Sequence, residues 1–312
     1  MHRYTVAYIV SAPRSGSTLL DNLLASHPDV VSLGEVHHLR AYALDDRQYY
    51  NPKQPLVCTC GAKVQNCVFW SAVQREMGAP LGRLHLQSPI SRELRATFSK
   101  YLQTVLRIPV ALISRYPSLY RIKAVQNLFD SKRIGMDSFR LFDAVYKVSG
   151  AACIVDSSKM PFRLLSLWNQ RPDQVRVIML CRDYKAVTHS KMKRGRSLAG
   201  AISSWTRWHR DMEALSPAIK PSSIFRLTYE QLCETPDVIM KNLWEFLGLR
   251  AHETIQRQSV DTMHHLGGSP SKRDSGRREI RRDTEYVQAF TASDLEQLKK
   301  LASPYAQKWG YD

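Results

Sequence analysis

The chain has 312 residues, 44% of them hydrophobic, and a formal net charge of +17, so it can bury one large core and its partners are expected to be anionic. Its longest apolar runs, "TVAYIV", "IPVALI" and "VRVIMLC", fall far short of the roughly 18 residues that a membrane-spanning helix needs. The opening "MHRYTVAYIVSAPRSG" has too short an apolar stretch, with the wrong flanks, for a secretory signal; the chain is expected to stay in the cytosol with its cysteines reduced.

The first element, "YTVAYIV" (4–10), reads as a strand buried on both faces, and "STLLDNLLASH" (17–27) as the helix after it. Between them "SAPRSGST" joins a strand to a helix N-terminus through small residues, a place where backbone N–H groups converge and the helix dipole favours negative charge. Gly16 allows close backbone approach, Ser15, Ser17 and Thr18 bring hydroxyl groups, and Arg14 supplies a cation. A nucleoside triphosphatase loop carries Lys before its final Ser/Thr pair; here that position is Ser17. The second apolar run, "VVSLG", ends at Glu35, followed by Val36, His37 and His38.

From about 45 to 142 the strand signal fades, and "SRELRATFSKYLQTVLRI" and "SFRLFDAVYKVSG" show apolar residues at three- and four-residue steps. This stretch reads as a helical insertion over the sheet edge. Strand and helix then alternate: "CIVD" (153–156) with "PFRLLSLWNQ" (161–170), "VRVIMLC" (175–181) with "YKAVTHSKMKRG" (184–195), and "SIFRL" (223–227) with "TPDVIMKNLWEFLGL" (235–249). Pro161 and Pro236 stand where a first helical turn tolerates proline. The pattern predicts an α/β fold over 1–312, a P-loop-like parallel sheet flanked by helices. Arg182 falls at the carboxyl end of a strand, where open α/β sheets bind ligands, with Ser190 in the following helix, so the pair is read as a second phosphate site. Trp205 and Trp208, three apart on one helical face, read first as core. Residues 264–283, rich in Gly, Ser, Arg and Lys, read as a long loop.

"SAPRSGSTLLDNLLASHPDVVSLGE" resembles the 5′-phosphosulfate loop of the sulfotransferase superfamily, in the Pro-Arg-Ser-Gly form also found in protein-tyrosine sulfotransferases, and "CRDYKAVTHS" is similar to its 3′-phosphate motif. "IVDSSKMPFRL" resembles the family's Lys-containing strand end, and "FRLTYEQLCETPDVIMKNLWEFLGL" its Arg-Tyr-Glu-Asp-Leu segment leading to a Phe-Leu-Gly helix. The resemblance implies 3′-phosphoadenosine-5′-phosphosulfate (PAPS) as donor, in-line sulfuryl transfer to a hydroxyl, and no metal. It implies that Arg14, Ser15, Gly16, Ser17, Thr18, Arg182 and Ser190 hold the donor, with Arg273 of "HHLGGSPSKR" as a further contact, and that Glu35, Arg14 and Lys159 of "DSSKMP" act on the reacting atoms. Where the protein-tyrosine branch has two consecutive carboxylates, this chain has Glu35 alone, and His37 or His38 could serve as the base instead.

Two other readings stay open: a P-loop kinase or NTPase with Asp156 as its Mg²⁺ carboxylate, and a non-catalytic basic binder of nucleic acid or glycan. With PAPS as partner no nucleic acid is expected, and the acceptor is left open among carbohydrate, lipid, metabolite and peptide, acidic or membrane-associated compounds included. Cys58, Cys60 and Cys67 of "CTCGAKVQNCVFW" offer three ligands where a structural zinc site wants four, so they are read as a turn buried by Phe69 and Trp70, without metal.

Overall fold

A computed structural model of the chain describes residues 3–46, 55–88, 112–250, 263–268 and 280–311; Arg273 and the segment 91–108 lie outside them. The strands are β1 (Thr5–Ser11), β2 (Val30–Ser32), β3 (Cys153–Asp156), β4 (Val175–Cys181) and β5 (Ile224–Thr228). They form one sheet in the order β2-β3-β1-β4-β5, and every neighbouring pair is parallel. β1 lies in the middle, Val6 beside Ile154 on one side and Val175 on the other.

The apolar runs form strands because both faces of the sheet are covered. Val6, Tyr8 and Val10 join one core with Val175, Val177 and Met179, while Ala7 and Ile9 join the opposite core with Ile178 and Leu180. This is the two-residue alternation of a pleated strand with no polar face to spare.

The helices are α1 (Ser17–Leu24), α2 (Leu39–Leu44), α3 (Val68–Met77), α4 (Lys123–Leu128), α5 (Ser131–Ser149), α6 (Pro161–Gln170), α7 (Tyr184–Met192), α8 (Leu198–Leu215), α9 (Tyr229–Glu234), α10 (Pro236–Phe246) and α11 (Ala292–Ala306). Leu20, Leu23 and Leu24 of α1, with Met240, Leu243 and Trp244 of α10, seal one face of the sheet. Between β2 and β3 the described elements are helical, and α5 packs on α3 and α6. The expected helices at 17–27 and 184–195 stop early, at Leu24 and Met192. After β5, Thr228 and Gln231 form a capping box that starts the unexpected α9.

Asp156, at the end of β3, accepts from Arg163 Nη2 at 2.8 Å and Nε at 3.2 Å. Arg163 also donates to the Leu86 carbonyl at 2.6 Å and to Ser138 Oγ at 2.8 Å, and both members of the pair are fully buried. Asp156 thus fastens β3 to the helical layer behind it.

Candidate functional site

The carboxyl ends of the five strands open on one side, and the order of the sheet reverses at β1. A crevice at that reversal is where open α/β sheets bind ligands. Here it is a cavity of about 1070 Å³ lined by Ser11 at the end of β1 and Arg14 after it, Glu35 and His37 after β2, and Ser158 and Lys159 after β3.

The loop after β1 enters α1 through Gly16 at φ 86°. A Cβ there would stand 2.4 Å from Cδ2 of Tyr229, so glycine is demanded both by the left-handed backbone and by the ring against it. Arg182 packs on the same ring, its guanidinium 4.3 Å from the Tyr229 centroid. Arg182 Nη1 donates to the Arg14 carbonyl at 3.3 Å, and Arg14 Nε donates to Ser190 Oγ at 3.0 Å. The two motifs that looked separate in sequence therefore share a hydrogen-bonded chain. Asp183 caps α7 by accepting from the Lys185 N–H at 2.8 Å, and Trp205 Nε1 donates to the Arg182 carbonyl at 3.0 Å.

Arg14 and Lys159 both have positive φ, 80° and 67°, a conformation uncommon outside glycine and held only when the surroundings enforce it. The Lys159 N–H donates to the Ile9 carbonyl at 3.2 Å, and the Tyr8 hydroxyl bonds both the carbonyl and the N–H of Met160, at 3.0 and 3.1 Å. Central strand β1 thus grips the turn that presents Lys159. The lysine's ammonium donates to Glu35 Oε1, and His38 Nε2 stands 3.7 Å from Glu35 Oε2.

Glu35 is placed from below and behind. Its N–H donates to the Leu266 carbonyl at 2.7 Å, where Gly34 and Leu266 form a parallel bridge. Under the loops, Asp21 of α1 accepts from Ser32 and, at 3.0 Å, from Ser157. Burial and the neighbouring charges of His38, Arg163 and Lys159 hold His37 well below the ordinary histidine range, so it is neutral at pH 7. Glu35, His37 and His38 bring donor atoms within 4.8 Å of one another, a spacing metal ligands also adopt. With the Lys159 ammonium on the same carboxylate and Arg14 facing the same space, the local field opposes a metal cation there.

Another wall of the cavity, from α7 to α8, is mainly cationic: Lys191, Arg194, Arg196, Arg207 and Arg210, with Trp208 and Asp211 among them and Arg210 paired with Asp211 at 2.9 Å. Sequence reading did not find this wall, since charges on the flank of a helix look like a solvated face. Burial, Arg196, Arg207 and Arg14 push Lys191 down to about 8. Burial, Arg194 and Arg182 likewise lower Arg14. Among the predicted site residues, Arg14, Glu35 and Lys159 line the cavity, and Arg182 and Ser190 border it through Arg14.

Asp156 does not line the cavity, and its pairing with Arg163 leaves it no role as a Mg²⁺ carboxylate. Of the two tryptophans, Trp205 is wholly core and Trp208, also buried, reaches the cavity.

The model of the Sulfotransferase family matches residues 7–253. The sulfotransferase domain of the Synechococcus PCC 7002 olefin synthase is 19% identical with a TM-score of 0.55, covering 97% of this chain and 96% of that one. A sulfotransferase from Mycobacterium avium is 12% identical with a TM-score of 0.52, covering 100% of this chain and 78% of that one. At these identities the likeness is one of fold. Comparison with curated protein sequences gives no match.

Proposed function

The chain belongs to the sulfotransferase family, and from that premise we propose that it transfers the sulfuryl group of PAPS to a hydroxyl of an anionic acceptor. The observation that carries the proposal is the convergence of Arg14, Glu35 and Lys159, from three strand ends, on one cavity bounded by a wall of cations.

The residues present suit the donor. Ser11 Oγ, Ser15 Oγ and Arg182 Nε are buried with no hydrogen-bond partner among the described residues, an arrangement that costs free energy unless a ligand satisfies it. All three lie at the strand ends around the Gly16 turn. PAPS, when bound, supplies a sulfuryl group on a phosphate that leaves as adenosine 3′,5′-bisphosphate (PAP). On this reading the α1 N-terminus with Ser15, Gly16, Ser17 and Thr18 cradles the 5′-phosphate, and Arg182 with Ser190 holds the 3′-phosphate. Arg273 is proposed from sequence alone as a further contact.

Glu35 takes the proton of the acceptor hydroxyl, a weak nucleophile near pH 7. Lys159 has two tasks: it clasps Glu35 before the acceptor arrives and then turns to the sulfuryl oxygens, leaving the carboxylate to the incoming hydroxyl. Arg14 holds charge at the bridging oxygen as the bond to phosphate breaks. His38, beside Glu35, orients that carboxylate. The chemistry needs proton transfer and fixed cations, and no metal is assigned to it.

The acceptor follows from Lys191, Arg194, Arg196, Arg207 and Arg210. Lys191 is pushed down to about 8 by burial first and then by Arg196, Arg207 and Arg14, and an acceptor bearing carboxylate, sulfate or phosphate answers the charge these cations bring to one cavity. Incubation with sulfur-labelled PAPS and a fractionated cell extract tests both halves. Label is expected in molecules retained by an anion exchanger before reaction. Stabilisation by ATP with Mg²⁺ exceeding that by PAP alone would overturn the donor assignment.

A further inference from the structure

Outside the cavity, three cysteines and a histidine from two distant segments meet. Cys58 and Cys60 lie in a turn, Cys67 precedes α3, and His264 comes from the short described segment 263–268. Their sulfur and nitrogen atoms all lie within 4.8 Å of one another. Cys67 Sγ is 3.3 Å from His264 Nδ1 and 3.8 Å from Cys58 Sγ, Cys58 Sγ is 3.8 Å from His264 Nδ1, and Cys60 Sγ is 3.6 Å from Cys67 Sγ.

We propose that these four residues form a structural zinc site of Cys₃His type. Zn–S bonds of about 2.3 Å and a Zn–N bond of about 2.0 Å in a tetrahedron place sulfurs about 3.8 Å apart and sulfur and nitrogen about 3.5 Å apart. The sulfur–sulfur separations of 3.6 and 3.8 Å and the sulfur–nitrogen separations of 3.3 and 3.8 Å lie close to those edges. A disulfide, with sulfurs about 2.05 Å apart, joins only two of the four groups and leaves the imidazole without a reason to be there.

The surroundings are those of a ligand shell. The Phe69 ring stacks on His264 with an interplanar angle of 4° at 4.9 Å, and Trp70 Nε1 donates to the His264 carbonyl at 3.1 Å. Both fix the imidazole so that Nδ1 points at sulfur. The Cys58-Thr59-Cys60-Gly61 turn closes with Gly61 N–H donating to the Cys58 carbonyl at 2.9 Å, at a glycine φ of 86°. Thr59 then laces the turn to the other segment, donating from Oγ1 to the Met263 carbonyl at 2.7 Å and accepting from the His265 N–H at 3.0 Å. Three thiolates and a neutral imidazole are a soft donor set suited to Zn²⁺, and with every position filled by protein the ion has a folding role rather than a catalytic one. The staple ends two residues before Leu266, whose carbonyl accepts from the Glu35 N–H, so the ion holds the strip of chain on which Glu35 rests.

The proposal stands independently of the transfer reaction, because its test reads the metal. Tag-free full-length protein, expressed with zinc supplementation and freed of loose metal by gel filtration, is expected to carry about one zinc per chain by mass spectrometry. Replacing zinc by Co²⁺ is expected to give sulfur-to-cobalt charge-transfer absorption and intense tetrahedral visible bands. In H264C both the metal and a tetrahedral spectrum are retained with shifted bands, whereas C67S loses stoichiometric zinc. Less than roughly 0.1 zinc per chain in soluble wild-type protein, a Cys60–Cys67 disulfide in it, or stoichiometric zinc persisting in the Cys58, Cys60 and Cys67 triple serine variant would each overturn the proposal. If C67S fails to fold, the wild-type metal content and Co²⁺ spectrum still decide the question.

Discussion

Glu35 and Lys159 touch, so their effects on turnover are tied together. The variant E35Q is expected to keep PAP affinity and lose roughly 10²-fold or more in kcat, the usual range for removing a general base. K159A should lose turnover with a smaller loss of donor binding. If the clasp operates as proposed, the double variant falls short of the product of the two single losses, since each single change already spoils the same step; steady-state kinetics on the four proteins checks this. A near-normal kcat in E35Q with loss in H38A would transfer the base role to the histidine. At Arg182 and Ser190 the expectation concerns discrimination. R182A and S190A should each weaken PAP roughly tenfold, from loss of a charge-assisted hydrogen bond, and weaken a nucleotide without the 3′-phosphate much less, as calorimetry on the two ligands would show.

Among the elements, the strap from Ile280 to Ala289 packs against the residues that follow β4. Asp283 in this strap accepts from Arg182 Nη2 at 2.7 Å, and Tyr286 hydrogen-bonds Asp183 at 3.2 Å. A carboxylate thus sits on the cation assigned to the 3′-phosphate, and Arg182 in turn holds Asp283 below the usual carboxylate range despite its partial burial. The variant D283N should bind PAP about two- to fivefold tighter, the modest size following from an ion pair that solvent reaches on the Asp283 side, 40% exposed, while Arg182 is buried. Unchanged or weaker binding would mean that Asp283 positions Arg182 for the phosphate rather than competing with it. The sheet and most flanking helices were legible in sequence because apolar runs bounded by turns leave few alternatives. α9, short and started by its capping box, was hard to see. The contact of Asp283 with Arg182, like that of His264 with Cys67, joins residues whose nearness depends on the whole chain path, and nothing in local spacing announces it. Arg14, Glu35 and Lys159 were visible because each comes shortly after an apolar run, inside a segment that resembles a motif of the family.

Across the whole molecule, the formal charge of +17 is partly gathered at one opening. This predicts a pH signature: with Lys191 titrating at about 8 in the free protein, an anion in the cavity favours the charged ammonium, so binding takes up a proton where that group is neutral. PAP affinity should therefore fall as pH rises through about 8, and calorimetry in buffers of different ionisation enthalpy should detect the proton uptake. In K191M both effects should vanish. Association of anionic ligands should also slow steeply with added salt. The central place of β1 reaches further, into how the chain is made. Its partners at 153–156 and 175–181 leave the ribosome long after it does, so a strand with both faces apolar must wait unpaired through much of synthesis. Parallel pairings between distant segments form slowly and leave hydrophobic chain exposed to other chains in the meantime. Refolding at rising protein concentration should therefore lose yield to aggregation, and PAP protection should arrive only in the last kinetic phase, when every strand end is finally side by side.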